Sequence, residues 1–328
     1  MAKYDLLGIG NALVDVLSDA DDDFLTRKNL PKGGMQLVDE GEADDLFATM
    51  SAPHQASGGS CANSMAGFAS LGGKGAFIGK LKDDEFGRAF QVDMEKLGCA
   101  FAGLPAADGL PTGCCLVFVT PDAQRTMCTH LGTAALLAPE DLDETAIADS
   151  EIVYMEGYLF DQPVAQQAIL RAANLTHTAG GAVAVTLSDS FCVDRHRGAF
   201  IDLVEHHTDI LFANELEIVS LYEADSFDQA ISCASGKCGI VCVTCGEKGA
   251  VIMAKGERIE VAAEPVAELV DTTGAGDQFA AGFLYGLSKG MDLARCGQIG
   301  AIAAAEVISH YGARPEQDLA ALVAAKLS

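Results

Sequence analysis

Cations are scarce in this chain. Its 328 residues include 21 Lys and Arg against 47 Asp and Glu, which gives a formal net charge of −26 at pH 7. Because nucleic-acid binding relies on cations that neutralise phosphates, this balance argues against a nucleic acid or an anionic membrane surface as partner. A small anionic substrate stays compatible, since metal ions, helix N-termini and a few placed cations can make one site locally positive.

Long apolar runs, targeting signals and repeats are also missing. No stretch approaches the roughly 18 consecutive apolar residues of a membrane span. The N-terminal stretch MAKYDLLGIGNALVDV turns directly into a strand-like pattern and has no cleavage site behind an apolar core. The 11 cysteines, an odd number lying mostly in apolar patterns, favour reduced, buried thiols. We therefore expect a soluble, cytoplasmic protein that forms one domain over 1–328.

Short apolar runs alternate with helix-like stretches along most of the chain. The strand-like runs include YDLLGIG, GAFIGKL, EIVYMEGYL, AVAVTLS, DILFAN and GIVCVTCG, and the clearest helices are expected at 61–71, 85–97, 163–178, 195–207, 276–288 and 293–309. This alternation predicts an α/β fold with a doubly wound, mostly parallel sheet, helices on both faces and ligands outside the carboxyl ends of the strands. Two regions, about 12–40 and 99–133, break the alternation and predict a small β lid inserted in the core.

The stretch DTTGAGDQFAAGF, residues 271–283, combines glycines, a helix start and a carboxylate. The backbone amides of Gly274, Ala275 and Gly276 can approach an anion closely where the helix begins. Asp277 would repel a bound phosphate, so it fits better as a base that accepts a hydroxyl proton during phosphoryl transfer. A first-turn acid that complements the helix dipole is equally compatible with the spacing alone.

Glycines and polar residues near the N-terminus are candidates for binding hydroxyl groups. Gly58 and Gly59 precede a helix that carries Asn63, so backbone and side-chain amides could hold a sugar, although an ordinary capped loop fits the same pattern. Asn11 and Asp15 follow the first predicted strand, where a doubly wound sheet places ligand contacts. A turn-forming Asn and a surface Asp are the alternatives.

Further positions are candidates for phosphate and nucleotide contacts. Arg125, on the expected lid, could clamp a transferring phosphate, although a lone exposed Arg is usually only solvated. Asn214 and Glu217 follow a strand and either organise hydrated magnesium or simply begin a helix. Gly246 and Gly249 shape a loop that either receives a nucleotide or turns a hairpin.

Other apparent motifs fail on inspection. GIGNAL begins like a dinucleotide fingerprint, but Leu13 stands where the third glycine belongs, and no GxxxxGK[ST] phosphate loop occurs. Cys238, Cys242 and Cys245 have the spacing of a cluster-binding trio, yet they lie in or at the end of an apolar strand whose side chains alternate between faces. Buried strand thiols are the better interpretation.

Taken together, these segments resemble the PfkB-type carbohydrate and nucleoside kinases, a ribokinase-like family, over nearly the whole chain. DTTGAGDQFAAGF is similar to the C-terminal signature of that family, and GGSCANSMAGFASLGGKGAFIGKLKDDEFG is similar to the N-terminal one. The resemblance implies an ATP- and Mg²⁺-dependent kinase with Asp277 as general base and the amides of 274–276 as anion hole. Within the family the adenosine kinases are the most similar branch, through GNALVDVL, GGSCANS, PTGCCLVFVTPDAQRTM and DILFANELE.

That likeness implies transfer of the γ-phosphate of ATP to the 5′-hydroxyl of adenosine or a close nucleoside, with a sugar kinase for ribose, fructose or a keto-sugar acid as the alternative. It implies that Arg125 reaches the phosphate when the lid closes and that Glu217 acts on magnesium through water. The implied acceptor contacts are Asn11, Asp15, Gly58, Gly59, Asn63 and Tyr158, and the implied nucleotide contacts are Asn214, Glu217, Thr244, Gly246, Gly249 and Asp271.

The chain departs from the adenosine kinase pattern at two places. Thr273 replaces an asparagine that is frequent there, and EGYLFD differs from the aromatic pair beside the base, which leaves Tyr158 or Phe160 as stacking candidates. A requirement for K⁺ stays open, and both a monomer and a homodimer are compatible with the sequence.

Overall fold

The computed structural model describes residues 2–122 and 124–327, which form two β-sheets and the helices around them. The strands are β1 (Tyr4–Ile9), β2 (Leu13–Asp19), β3 (Met35–Leu37), β4 (His54–Gly58), β5 (Gly75–Ile78), β6 (Cys99–Phe101), β7 (Gly113–Val119), β8 (Arg125–His130), β9 (Ser150–Glu156), β10 (Ala182–Thr186), β11 (Ile210–Asn214), β12 (Ile240–Thr244), β13 (Ala250–Ala254) and β14 (Glu257–Val261). The helices are α1 (Asp22–Arg27), α2 (Glu40–Phe47), α3 (Ser60–Ser70), α4 (Glu85–Lys96), α5 (Glu144–Ala148), α6 (Pro163–Ala179), α7 (Ser190–His207), α8 (Glu215–Tyr222), α9 (Phe227–Ala234), α10 (Ala275–Ser288), α11 (Leu293–Val307) and α12 (Leu319–Leu327).

The larger sheet has nine strands in the order β14-β13-β12-β11-β10-β9-β1-β5-β6. All neighbours from β12 to β6 pair in parallel, whereas β13 and β14 extend the edge as an antiparallel hairpin. The strand order runs outward in both directions from β1, which lies between β5 and β9. The predicted doubly wound sheet is confirmed, and the carboxyl ends of β1 and β9 form its topological switch point, where ligands of such sheets bind.

Successive side chains of each strand enter different apolar cores because strand residues alternate between faces. Leu6 of β1 packs in the core with Phe68 of α3 and Phe283 of α10, whereas Leu7 packs in the other core with Ile169 of α6. Phe279 and Phe283 of α10 are both buried in the core, and Leu287 packs against it while partly exposed. These contacts hold the beginnings of α3 and α10 rigidly above the switch point.

The smaller sheet has five strands in the order β3-β8-β7-β2-β4. Two details differ from the ranges expected for a lid. His54–Gly58 joins this sheet, because β4 pairs antiparallel with β2. Cys99–Phe101 belongs instead to the large sheet, because it follows α4 and pairs in parallel with β5.

The two faces of the small sheet have different surroundings. Val14 and Val16 of β2 enter the same apolar core as Phe68, so Asp15 lies on the opposite face. On that face Asp15 is paired with Cys115 of β7 and Ala56 of β4. The pairing register therefore places the Asp15 carboxylate on the face of the small sheet that does not pack against the apolar core.

In the part of the chain that the structure describes, no helix has the length and apolar character needed to cross a membrane.

Candidate active site

Asp277 lies in the first turn of α10 and contacts the beginning of α3. Its Oδ1 accepts a hydrogen bond from Ser60 Oγ at 2.6 Å, and its Oδ2 accepts a longer one from Asn63 Nδ2 at 3.4 Å. Burial raises the pKa of Asp277 to about 6, and the hydrogen bonds from Ser60 and Asn63 oppose that rise. Because this carboxylate accepts a hydrogen bond from one hydroxyl group, it is also placed to accept a hydrogen bond from a substrate hydroxyl.

The turn before α10 leaves donors free. Gly274 has a φ of 79°, and a Cβ there would lie 2.7 Å from Ala313 Cα, so only glycine fits. The N–H of Ala275 donates to Thr272 O at 3.2 Å. The N–H groups of Gly276 and Asp277 have no partner among the described residues. The donors left free at this helix start are these two amides and that of Gly274, which also has no partner among the described residues, whereas the Ala275 amide is already used within the turn.

Glu156 ends β9 at the switch point and is 1% exposed. Its Oε1 accepts a hydrogen bond from Asn11 Nδ2 at 2.7 Å, and its Oε2 accepts one from the Cys61 backbone N–H at 3.0 Å. Burial and the charge of Asp277 raise the pKa of Glu156 to about 7, against the donors on Asn11 and Cys61. Glu156 thus joins the end of β1 to the N-terminus of α3, beside Asp277.

The two glycines before α3 are required by close contacts. A Cβ on Gly58 would lie 2.4 Å from the Asp15 carboxylate, and one on Gly59 would lie 2.3 Å from Asn11 O. Gly59 also has a φ of 97°, where other residues are strained. The glycine pair therefore brings Asn11 and Asp15 against the loop that carries Ser60.

Asn63 is held from two sides. Its Nδ2 faces Asp277, and its Oδ1 accepts a hydrogen bond from Arg314 Nε at 3.2 Å. Arg314 Nη1 in turn donates to Asp93 Oδ2 at 2.9 Å, an oxygen that also accepts the Ser57 N–H and hydroxyl. Burial lowers the pKa of Arg314, although the Asp93 carboxylate opposes this effect. The sequence analysis did not single out Arg314.

Asp15 lies near two guanidinium groups. Burial raises its pKa to about 6, and the charges of Arg314 and Arg125 oppose that rise. Its carboxylate has no hydrogen-bond donor among the described residues, and Gly58 leaves it room. Asp15 is therefore an acceptor open to ligand hydroxyls on the free face of the small sheet.

Arg125 begins β8 and contacts the turn before α10. Its Nη1 lies 3.2 Å from Asp271 Oδ2, and its guanidinium lies 5.6 Å from the centre of the Tyr311 ring. Asp271 also accepts hydrogen bonds from Thr273 N–H and hydroxyl and from the Gly312 N–H. Although partial burial acts in the opposite direction, these donors and Arg125 lower the pKa of Asp271. Asp271 shapes the turn before α10, and this contact differs from the nucleotide contact expected of it.

Asn214 and Glu217 form a capping box on α8. Glu217 Oε1 and Oε2 accept the Asn214 side-chain and backbone N–H groups at 2.7 and 2.9 Å, and Asn214 Oδ1 accepts the Glu217 N–H at 2.9 Å. Burial raises the pKa of Glu217 to about 7. Each oxygen already accepts one hydrogen bond, an arrangement compatible with contact to a magnesium ion through water. Among the described residues, no three His, Cys, Asp or Glu side chains are grouped to hold a metal.

The loop after β12 lies beside the end of β11. Thr244 pairs with Asn214 in the sheet, and its hydroxyl donates to Ala213 O at 3.4 Å. Gly246 and Gly249 have positive φ angles of 57° and 94° in the turn that leads into antiparallel β13. These glycines therefore turn a hairpin, one of the two alternatives that the sequence left open.

The two aromatic candidates differ in position. Phe160 is buried in a core and stacks on Phe200 with ring centroids 4.4 Å apart, so its proposed contact with a base is wrong. Tyr158 is 36% exposed. Burial and the nearby carboxylates of Asp189 and Glu156 raise the pKa of Tyr158. Tyr158 comes directly after β9, so it lies at the strand ends of the large sheet.

Sequence reasoning missed Glu156 and Arg314. Glu156 carried a signal, because a Glu that ends an otherwise apolar strand marks the edge where ligands bind. Arg314 carried none: it is a single cation in GARPEQ, and its partners Asn63 and Asp93 are more than 200 residues away in sequence.

The fold and this set of residues define a phosphotransferase of the α/β class. The family described as "pfkB family carbohydrate kinase" matches residues 35–319. The chain is 44% identical to a crystal structure described as a probable sugar kinase protein from Rhizobium etli CFN 42, with a TM-score of 0.90 and coverage of 100% and 99% of the two chains. It is 43% identical to the adenosine kinase from Sinorhizobium meliloti, with a TM-score of 0.90 and full coverage of both chains. The Saccharomyces cerevisiae adenosine kinase is 26% identical over 329 residues, which is 94% of this chain and 95% of that protein.

The chain therefore belongs to the pfkB carbohydrate kinase family, as its two signature-like segments predicted. Membership implies a kinase with a hydroxyl group as acceptor and ATP as co-substrate. Similar proteins include both adenosine kinases and sugar kinases, so the family itself does not select the acceptor.

Proposed function

We propose that this kinase transfers the γ-phosphate of ATP to the 5′-hydroxyl of adenosine or a close nucleoside, and so forms AMP and ADP. The observation that carries the proposal is the contact of Asp277 Oδ1 with Ser60 Oγ at 2.6 Å, beside two unpaired backbone amides. A hydroxyl donor at a carboxylate and an anion-binding helix start in one place are what phosphoryl transfer to an alcohol requires.

In the proposed reaction, the acceptor hydroxyl replaces Ser60 as the donor to Asp277. Asp277 takes the proton as the hydroxyl oxygen forms a bond to the γ-phosphorus, and the bond from that phosphorus to the β–γ bridging oxygen breaks. The electrons of that bond leave with ADP. Because the pKa of Asp277 is about 6, the carboxylate is mostly ionised at neutral pH and still basic enough to share the proton.

The phosphates would be bound by three groups of this chain. The unpaired N–H groups of Gly276 and Asp277 would receive γ-phosphate oxygens, and Arg125 would exchange its contact with Asp271 for the transferring phosphate. Magnesium supplies charge neutralisation of the phosphates when it is bound with ATP, and Glu217 would hold one of its waters. The Thr244 and Gly246–Gly249 loop lies at the adjacent strand ends, where the nucleotide would extend.

The surroundings of Asp15 favour a nucleoside over a free sugar. Asp15, Asn63 and Asn11 would bind the ribose hydroxyls. Apolar side chains share the free face of the small sheet with Asp15: Leu17 on β2 pairs with Val117 on β7, which pairs with Met127 on β8. A face with one carboxylate among apolar side chains suits a ligand with hydroxyls at one end and a flat, weakly polar base at the other.

A sugar kinase is the second candidate, because the hydroxyl-binding residues require no base. The 44% identical protein from Rhizobium etli is described as a probable sugar kinase. A ribose, fructose or keto-sugar acid would use the same Asp277 and the same amides, and would leave the apolar face of the small sheet uncovered.

The test is ADP release from Mg²⁺-ATP with adenosine, inosine, guanosine, ribose and fructose as acceptors. Asp277→Asn should fold and lose at least about 1000-fold in kcat. Glu85→Gln, an exposed acid in the first turn of α4, is the matched control for a helix-dipole role and should keep full activity. Turnover of sugars alone would replace the nucleoside by a sugar as the acceptor. ATP binding without turnover of any acceptor would exclude kinase activity on these compounds. An active Asp277→Asn variant would show that Asp277 is not the base.

A further inference from the structure

Arg314 is the central residue of a hydrogen-bonded chain that ends at Asp277. The chain runs from Asp93 to Arg314 Nη1 at 2.9 Å, from Arg314 Nε to Asn63 Oδ1 at 3.2 Å, and from Asn63 Nδ2 to Asp277 Oδ2 at 3.4 Å. Each guanidinium N–H can only donate and each carboxylate oxygen can only accept. The two ends of the chain therefore allow one orientation of the Asn63 amide, with its nitrogen toward Asp277.

The backbone around Arg314 is fixed independently of its side chain. Gln278 is fully buried, and its Nε2 donates to both Asn63 O and Ala313 O at 2.9 Å. Gly274, which opens α10, packs against Ala313 so closely that no Cβ fits there. The segment before Arg314 is thus held to α3 and α10 even if the arginine is replaced.

Stability alone accounts poorly for this arginine. Its Nη2 is buried and has no hydrogen-bond partner among the described residues. A buried charged group with an unpaired donor costs free energy, and a buried ion pair is seldom better than an apolar replacement of similar volume. An arginine whose donors are only partly used by the protein is better explained by the one orientation that it gives to Asn63.

We infer that Arg314 is a positioning residue, which holds the Asn63 side chain so that its N–H₂ group faces Asp277 and the acceptor hydroxyl. The amide uses one N–H on Asp277 and one lone pair on Arg314. Its second N–H and second lone pair remain for hydroxyl groups of the acceptor. Without Arg314 the Asn63 amide can rotate and present its oxygen to Asp277. That oxygen repels the ionised carboxylate and therefore favours the protonated form of Asp277. The inference rests on the proposed role of Asp277 as base.

The other groups near Asp277 define the background for this effect. Arg314 does not contact Asp277, and its charge acts on Asp15 and Asp93. The titratable groups that respond to the charge of Asp277 are Cys61 on α3, Tyr154 and Glu156 on β9, Tyr158 in the following turn and Glu217 on α8. None of them lies between Arg314 and Asn63, so the effect of Arg314 should pass through the amide.

The test measures the titration of Asp277 in the free protein, by NMR of ¹³C-labelled aspartate assigned with Asp277→Asn. Arg314→Met should raise the titration midpoint of Asp277 by about one pH unit. Asn63→Leu should raise it by the same amount, and the double variant should raise it no further, since both changes remove one interaction. Arg88 lies on the same helix as Asp93 and forms an exposed ion pair with Asp83, so Arg88→Met should leave the midpoint unchanged.

Activity provides the second readout, with the acceptor that turns over fastest. If the midpoint rises from about 6 to about 7, Arg314→Met should lose about fivefold in kcat/KM for the acceptor at pH 6 and less than twofold at pH 8. Additive shifts in the double variant, or an unchanged midpoint in Arg314→Met, would overturn the inference. If Arg314→Met does not fold, Arg314→Lys takes its place, because an ammonium lacks the planar pair of donors that contacts Asn63 and Asp93 together. An active Asp277→Asn would instead remove the base and leave the orientation of Asn63 to be read from the NMR titration.

Discussion

Glu156 Oε1 accepts a hydrogen bond from Asn11 Nδ2 at 2.7 Å, although the two residues are 145 positions apart in sequence. Asn11 follows β1 and Glu156 ends β9, so the contact joins the two strands at which the sheet changes direction. The second Glu156 oxygen accepts the Cys61 N–H of α3. One buried carboxylate therefore fixes Asn11, which follows β1, and the helix that carries Ser60 and Asn63.

Glu156 should make the protein less stable as the pH rises. Its pKa is about 7 in the folded protein and 4.5 in its ordinary state, so the folded protein binds the proton more tightly. The free energy of unfolding should therefore fall between about pH 4.5 and pH 7, by on the order of 3 kcal/mol from this group. Glu156→Gln should flatten that part of the curve in urea unfolding measured at a series of pH values. Glu151→Gln, an exposed change on the same strand, should not, and an equal slope in both variants would contradict the assignment.

The pH dependence of activity should report Asp277. Burial raises its pKa to about 6, and the base must be ionised, so kcat/KM should rise with pH through about 6 and level off above pH 7. The measurement is initial-rate ADP release from pH 5 to 8.5, with circular dichroism at each pH as the control for folding. Full activity maintained down to pH 5 would be incompatible with Asp277 as the base.

Gly59 should tolerate no side chain. Gly59→Ala places a Cβ 2.3 Å from Asn11 O at a φ of 97°, so it should cost about 3 kcal/mol or more and displace Asn11 from the site. Gly98→Ala is the matched control, because Gly98 has a φ of 82° with nothing within 4 Å and should cost only about 1 kcal/mol. Thermal unfolding of both variants separates the clash from the backbone strain. Equal losses would show that the Asn11 contact is unimportant.

Arg125 should matter for the transferred phosphate. Arg125→Met removes the cation beside the turn that opens α10, and we expect roughly a 100-fold loss in kcat/KM for ATP. Arg27→Met, an exposed arginine on α1, should have no effect. Steady-state kinetics with Mg²⁺-ATP varied at a fixed acceptor concentration makes the comparison. A loss in melting temperature without a loss in kcat/KM would assign Arg125 only to the Asp271 ion pair.

The sequence was informative where function depends on neighbours along the chain. The glycines of GGS and TTGAG predicted two tight turns before helices. Contacts of 2.3–2.7 Å require glycine at 58, 59 and 274. The position of Asp277 in the first turn of α10 follows from the same local pattern. Strand and helix alternation predicted the doubly wound sheet, because apolar periodicity is set by local geometry and burial.

Only the tertiary structure decided which distant side chains meet. It placed Phe160 in the core on Phe200, assigned both Glu217 oxygens to Asn214, and brought Arg314 between Asp93 and Asn63. It also moved 99–101 to the edge of the large sheet. A single sequence records spacing along the chain, whereas hydrogen bonds of 3 Å depend on how β1, β9, α3 and α10 pack. The sequence by itself thus determined the fold, the turns and the carboxylate at the helix start, and the packing of those elements decided how that carboxylate is oriented, desolvated and supported.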